Sequence, residues 1–380
     1  MRTLILLLTL PTLLFAQDLQ FQFEPEAFPV EIEGFQVYSP WAGCSSESKP
    51  ELCDIDADGD LDFFVGQFFG YCEFYENIGD GNNPDFIFSS GDFDSMTIDA
   101  RFNPCFGDID ADGDFDLIFS DDHPHLWLYE NIGDSSQYEF QLISNDLIPG
   151  PPWCRGPVLI DIDADGDLDL FGASWGNISF FRNDGTSSNF SFTTVTNTFS
   201  GINVGGWASP EFVDIDADGD YDLFIGEEYG KIWYYINDGD SVNYDYTLIS
   251  TNYWGIDVGD LSAPEFADID SDGDFDLFVG KESDSTNPLG DVFFYENVGD
   301  AYNPQFEFIT TTYLSLDFAY FCILPCFVDI NGDLLIDFLG GTGNNLIYME
   351  NIGMPNEASF YLQDMNYQNL GSVAFFPDFV

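Results

Sequence analysis

A chain of 380 residues with 7 Lys and Arg against 69 Asp and Glu carries a formal net charge of -62. Phosphate backbones and anionic lipid surfaces are bound through Lys and Arg clusters that displace counterions, so nucleic acid and anionic membrane surfaces are excluded as partners. Disorder is excluded too, because hydrophobic residues make up 45% and aromatic residues 18% of the chain, far more apolar surface than a solvated tail carries.

In chain order, residues 1–16 read as an export signal: Arg2 gives the positive start, Leu4 to Phe15 the apolar run, and Leu14-Phe15-Ala16 the cleavage site before Gln17. The mature chain, 17–380, is therefore expected to be secreted, extracellular or at the cell surface, where calcium is abundant. Phe21-Gln22-Phe23 reads as an isolated strand. Seven cysteines follow (Cys44, Cys53, Cys72, Cys105, Cys154, Cys322, Cys326), too few for a disulfide scaffold of this size. Cys53 and Cys72 read as small core hydrophobes, and the other five gather near strand entries.

One acidic phrase recurs along the mature chain. It runs Asp54-Ile55-Asp56-Ala57-Asp58-Gly59-Asp60-Leu61-Asp62 and returns at 108–116, 161–169, 214–222, 268–276 and, altered, 329–337, at intervals of 54, 53, 53, 54 and 61 residues. Four residues before each phrase stands a proline (Pro50, Pro104, Pro157, Pro210, Pro264, Pro325), and two before it a large apolar residue (Leu52, Phe106, Leu159, Phe212, Phe266, Phe327). Proline is tolerated at the start of a strand, so this segment predicts a short strand opening at its proline. A second apolar run follows each phrase. A third ends in a turn signature, Glu76-Asn77-Ile78-Gly79 and its kin, whose Asn and Gly are expected at the positive φ of a hairpin. A fourth alternates aromatics, as in Phe86-Ile87-Phe88.

Four short strands per unit of about 50 residues describe an all-β fold, a β-propeller of four-stranded blades. Phe376-Pro377-Asp378-Phe379-Val380 repeats the strand that precedes each phrase, and a seventh phrase would begin at 381. The chain is accordingly expected to be part of a longer protein with seven blades, six being the alternative.

The acidic phrases carry the chemistry. Oxygen donors fall on alternate positions of a tight loop: Asp54, Asp56, Asp58, Asp60 and Asp62; Asp108, Asp110, Asp112, Asp114 and Asp116; Asp161, Asp163, Asp165, Asp167 and Asp169; Asp214, Asp216, Asp218, Asp220 and Asp222; Asp268, Asp270, Asp272, Asp274 and Asp276. The sixth loop has Asp329, Asn331, Asp333, Leu335 and Asp337, so position 7 is expected to offer its backbone carbonyl. Hard cations such as Ca2+ take six to eight oxygens in flexible geometry. Two carboxylates about 4 Å apart repel by roughly 4 kcal/mol at an effective dielectric of about 20, so clusters of four or five call for about one Ca2+ per loop. Position 12, where an EF-hand has its bidentate Glu, holds Val65, Phe119, Gly172, Ile225, Val279 and Gly340, so these are not EF-hands.

Through its Asp-x-(Asp/Asn)-x-Asp-Gly-x-x-Asp loops and the apolar strands after them, the chain resembles the FG-GAP or VCBS repeat family, the calcium-loop propellers that include the integrin α-subunit head. The resemblance covers nearly all of 17–380. It implies that the carboxylate at position 9 is a ligand and that each loop joins the two innermost strands of its blade. Loop six departs from the family with Leu334 at the glycine position, where a left-handed backbone costs about 1 to 2 kcal/mol, so this site is expected to be the weakest or altered in geometry.

If the acidic loops share one face, the opposite face collects Trp41, Trp153, Trp175, Trp207 and Trp254, while Trp127 and Trp233 fall in third strands as core. Exposed aromatic platforms suit a glycan or a protein partner. His123-Pro124-His125 lies on the same face without a third metal-ligand candidate. The reading is a monomeric, non-enzymatic adhesion or ligand-binding module. Its alternatives are a secreted carbohydrate-active enzyme on the same scaffold and a structural spacer in a larger surface protein.

Overall fold

The computed structural model describes residues 30–32, 35–37, 49–67, 69–79, 84–96, 98, 101–121, 125–133, 137–148, 154–186, 189–281, 291–311, 313–314, 324–341, 346–354 and 358–364. The export-signal segment, Phe21 to Phe23, Trp41, Cys44, His123, Trp153, Cys322 and the 376–380 strand lie outside them.

Six four-stranded antiparallel sheets follow one another along the chain, and in each the strands lie side by side in sequence order. Blade one consists of Lys49–Cys53, Asp62–Gly66, Cys72–Asn77 and Phe86–Ser90. The first strands of the next five blades are Asn103–Gly107, Arg155–Ile160, Ser209–Val213, Ser262–Ala267 and Leu324–Val328. Each begins one or two residues before its proline rather than on it. As an edge strand of its own sheet, the first strand can leave a proline nitrogen unpaired.

The second strands are apolar on both faces because each is sandwiched between neighbouring blades. Phe64, Phe171, Phe224 and Phe278 are buried completely. Each packs against the aromatic residue that stands two before the next blade's acidic loop: Phe64 on Phe106 at 4.4 Å between ring centroids, Phe171 on Phe212 at 4.8 Å, Phe224 on Phe266 at 4.6 Å and Phe278 on Phe327 at 4.0 Å. Short 3-10 turns after the fourth strands, at Phe93–Ser95, Phe199–Gly201 and Tyr253–Gly255, cap these seams. Their leading aromatic rings sit edge-on at 5.0 to 5.2 Å from the second-strand phenylalanine. No periodic pattern announces these turns, since each is a single turn inside a connection.

Phe63, Val65 and Tyr75 of blade one share a buried cluster with Ile330, Leu339 and Tyr348 of blade six, so the ring of described residues closes at six blades. The smaller blade number is therefore the one these residues form, and the expected seventh blade is not among them.

The hairpin signature acts differently from expectation. None of Asn77, Asn131, Asn183, Asn237, Asn297 and Asn351, nor the glycine two residues after each, has a positive φ. Each Asn ends a third strand, and its side-chain Oδ1 accepts two backbone N–H groups, in blade two those of Gly133 at 3.2 Å and Glu139 at 2.9 Å. The glycine is needed for space: a Cβ on Gly133 would lie 2.0 Å from the carbonyl oxygen of Gln137, and one on Gly239 2.0 Å from that of Asn243.

Candidate metal centres and the opposite face

Every acidic loop joins the first and second strands of its blade, the two nearest the ring axis, as in 54–61 between Cys53 and Asp62. All six loops therefore share one face. The backbone organises the loop before any ion is considered. The position-1 carboxylate accepts the N–H groups of positions 5 and 6, at 3.1 and 3.2 Å for Asp54 and at 3.1 Å for both in Asp214. The position-5 carboxylate accepts the N–H of position 7, as Asp58 does from Asp60 at 3.2 Å. Both closures demand a left-handed backbone. It falls on glycine at position 6 (φ 93 to 99°) and on Ala57, Ala111, Ala164, Ala217 and Ser271 at position 4 (φ 51 to 59°).

The result is a convergent set of oxygens. Positions 1, 3 and 5 of the first five loops (Asp54, Asp56 and Asp58; Asp108, Asp110 and Asp112; Asp161, Asp163 and Asp165; Asp214, Asp216 and Asp218; Asp268, Asp270 and Asp272) each bring carboxylate oxygens within 4.8 Å of one another. Position 7 is buried against that triad: Asp60, Asp114, Asp167, Asp220 and Asp274 are only 5 to 7% exposed. Burial, reinforced by the neighbouring carboxylates, pushes Asp60, Asp220 and Asp274 up to about 6 and Asp114 up to about 7. Asp56, Asp110, Asp163, Asp216 and Asp270 at position 3 are raised for the same reason.

Buried carboxylate oxygens need a donor or a cation. Asp60 Oδ1, Asp110 Oδ1, Asp114 Oδ1, Asp163 Oδ1 and Asp169 Oδ2 have no hydrogen-bond partner. An all-oxygen donor set with orphaned, mutually repelling carboxylates fits a hard divalent cation, with positions 1, 3, 5, 7 and 9 as the residues that could hold it.

Position 9 has a second duty. Asp62, Asp116, Asp169, Asp222, Asp276 and Asp337 open the second strands, and their Oδ1 atoms accept the N–H of the third-strand asparagines at 2.7 to 2.8 Å. Burial outweighs these bonds, pushing Asp62, Asp116, Asp169, Asp222 and Asp337 up to about 7 and Asp276 up to about 8. The asparagine thus ties the acidic loop to the next turn. Sequence reading placed it in that turn and missed this link.

Loop six keeps the same skeleton. Asp329 accepts the N–H groups of Asp333 at 3.2 Å and Leu334 at 2.9 Å, and Asp333 that of Leu335 at 2.9 Å. Leu334 adopts the left-handed conformation (φ 71°) with its side chain 82% exposed, while Gly332 takes position 4 (φ 68°). Asn331 is buried and its Nδ2 lies 3.5 Å from Glu350 Oε1.

The opposite face carries the tryptophans. Trp175 is 58%, Trp207 39% and Trp254 55% exposed, and all three have left-handed backbones (φ 49 to 50°). Trp175 and Trp207 stand 5.9 Å apart. Trp254 is removed from this pair along the chain and packs edge-on against Tyr253 at 6.3 Å. Trp127 and Trp233 are half-buried against interblade clusters, as expected of third-strand residues. His125 Nδ1 lies 3.4 Å from Asp121 Oδ2, which also accepts the Trp127 Nε1 hydrogen bond at 3.2 Å. Cys53 and Cys72 are buried in the core, and neither these nor Cys326 forms a disulfide.

One group escaped sequence reading: in four blades the residues that follow the prolines come together across the ring. Glu51, Glu211, Glu265 and Cys326 come from four blades yet act on one another electrostatically. Burial first, then the Glu211 carboxylate, holds Glu265 well above the usual carboxylate range.

FG-GAP-like repeats match residues 54–119, 108–172, 161–225 and 214–279. No curated protein matches the chain. Among solved structures, an Agrocybe aegerita lectin described as recognising non-reducing terminal N-acetylglucosamine aligns at a TM-score of 0.52 and 19% identity, over 85% of this chain and 82% of the lectin. A BBS1N structure in complex with ARL6DN aligns at a TM-score of 0.42 and 14% identity, over 86% of this chain and 82% of that one. A Photorhabdus luminescens Tc holotoxin pore aligns at 0.40 and 12% identity, over 89% of this chain and 16% of the toxin chain. With matched repeats spanning more than half its length, the chain belongs to the FG-GAP-like repeat family.

Proposed function

We propose that this protein is a calcium-stabilised, non-enzymatic binding module, secreted or displayed at a cell surface, that presents the face opposite its acidic loops to a glycan. The observation that carries the reading is the exposed pair Trp175 and Trp207, 5.9 Å apart, each held in a conformation that costs a non-glycine residue about 1 to 2 kcal/mol. Strain concentrated at exposed aromatics is characteristic of ligand sites, because the packing that enforces it also fixes the ring. Indole faces stack on sugar rings. The lectin with a similar fold supports the scaffold's suitability for glycan recognition and nothing finer.

In the proposed assignment, calcium neutralises the loops, with positions 1, 3, 5, 7 and 9 supplying oxygens and position 9 also bracing the loop against the third strand. These residues hold no reacting group: their task is to fix the ring that carries the tryptophans. A glycan array probed with the full chain, with and without calcium, tests the reading. Binding that requires calcium and is abolished by Trp207→Ala is expected. Turnover of a polysaccharide would instead favour the carbohydrate-active enzyme, and silence on every glycan would remove the reading.

A further inference from the structure

The turn between second and third strands is built the same way in blades one, three and four. An aromatic residue precedes a glycine there, Phe69 before Gly70, Trp175 before Gly176 and Tyr229 before Gly230, and all three aromatics are more than half exposed. Each glycine carbonyl accepts a backbone N–H from the connection that enters the next blade, that of Ile98, Val204 or Val258, at 2.8 Å. The two backbones touch: a Cβ on Gly176 would lie 2.8 Å from Gly205. Every tip is thus bolted to the following connection, which fixes its aromatic without burying it, so little ordering entropy is left for a ligand to supply.

In blades three to five the tips join into an arc. Trp175 stands 5.9 Å from Trp207 in the connection entering blade four. The N–H of Glu228 donates to the Gly206 carbonyl at 3.0 Å, so Trp207 and Tyr229 flank a single backbone hydrogen bond. The Leu261 N–H donates to the Glu228 carbonyl at 3.1 Å and carries the surface into the connection entering blade five, which begins with the exposed Trp254. Four exposed rings drawn from three successive blades exceed the footprint of one sugar. A terminal sugar on the tryptophan pair would leave Tyr229 and Trp254 to water.

The polar groups beside these rings are mostly acceptors. The Glu228 carboxylate lies where a Cβ on Gly206 would meet it, next to Trp207, and Asp257 and Asp260 are exposed in the connection behind Tyr229. Asn177 and Asn203, joined by a side-chain hydrogen bond of 2.9 Å, stand next to Trp175. Arg101 is already stacked over the Trp207 ring, its Cζ 5.9 Å from the centroid, and Lys231 is bridged through its backbone to Asp257. Carboxylates accept sugar hydroxyls well and repel an acidic polymer.

We propose that the arc from Trp175 to Trp254 binds an internal stretch of a linear, uncharged polysaccharide, several sugar units at once. The inference rests on the glycan reading above and adds the length and the charge of the ligand.

Calorimetric titration of the calcium-loaded full chain with di-, tetra- and hexasaccharides of β-linked glucose and of β-linked N-acetylglucosamine is the test. In at least one series the hexasaccharide should bind about tenfold or more tightly than the disaccharide, the gain expected of further stacked rings. Tyr229→Ala should remove most of that gain and leave the disaccharide affinity within about twofold, whereas Trp207→Ala should weaken both. Should Tyr229→Ala fail to fold, Trp254→Ala provides the same comparison. The hexasaccharide oxidised to carboxylates at its hydroxymethyl groups should bind more weakly than its neutral parent, by a margin that narrows as salt rises from about 0.05 to about 0.5 M. Affinity that does not grow with chain length, growth that survives both substitutions, or an oxidised hexasaccharide that binds as tightly as the neutral one overturns the inference while leaving glycan binding intact. Failure of both series to bind overturns it as well, and only if the array is silent too does the glycan reading fall with it.

Discussion

Leu334 looks like a defect and is better described as an exchange. Each of the first five loops places one non-glycine residue in the left-handed region, at position 4, and a glycine at position 6. Loop six reverses the two, with Gly332 and Leu334, so the number of strained residues per loop is constant. What changes is φ at position 6, 71° instead of 93 to 99°, because a Cβ confines the residue to the left-handed helical well. Leu334→Gly should therefore stabilise the protein modestly, by up to about 1 kcal/mol after the added chain entropy is subtracted, and should bring loop six closer to its siblings in metal affinity. Urea denaturation with metal titration measures both, and a loss of stability would show that the leucine is doing unseen packing. The asparagines make a sharper case. Asn131→Ala leaves the N–H groups of Gly133 and Glu139 without their acceptor, so a cost of about 2 kcal/mol is expected in the same assay. A change under about 0.5 kcal/mol would contradict the bracing role.

Among elements, the position-9 carboxylate links the acidic loop to the strands that flank it. Without metal, position-9 carboxylates pushed up to about 7 or 8 by burial bind protons more tightly folded than unfolded, where an Asp titrates near 3.9. Their contribution to stability is complete below about pH 4 and lost as pH rises through about 8, since the folded state holds the extra protons in that window. Metal acts in the opposite sense, because a cation needs the deprotonated ligands. The melting temperature of metal-stripped protein should thus fall between about pH 5 and 8, and the increment added by calcium should grow over the same range. An increment independent of pH would dissociate the carboxylates from the effect. At the seams, Phe224→Ala removes a ring buried against Tyr234, Tyr253 and Phe266, and a loss of about 3 to 5 kcal/mol is expected from denaturation. Blade strands and acidic loops were legible in the sequence because each recurs in fixed register: Pro, aromatic, acidic phrase, apolar run. The 3-10 turns, the Asn braces and the glutamates that meet across the ring were not, since a single turn has no period, a side-chain acceptor leaves no pattern, and that meeting exists only once the ring has closed.

As a whole molecule, the protein presents its six acidic loops on one face of a disc. The exposed tryptophans Trp175, Trp207 and Trp254 stand on the other, with the first strands between them. Closing the ring sets all six loops on one face, and the proposed calcium would neutralise their carboxylates together. Ring closure was the least legible feature at this scale, because Ile330 and Tyr75 lie far apart in sequence and meet only through the buried seam of blades one and six. Calcium titration of the metal-stripped full chain, followed by calorimetry and by melting temperature, probes this neutralisation directly. Uptake of about one ion per acidic loop, with a melting temperature that climbs by many degrees on saturation, is the expected result. A chain that takes up no stoichiometric calcium and melts at the same temperature in chelator would show that the carboxylates are accommodated without a cation.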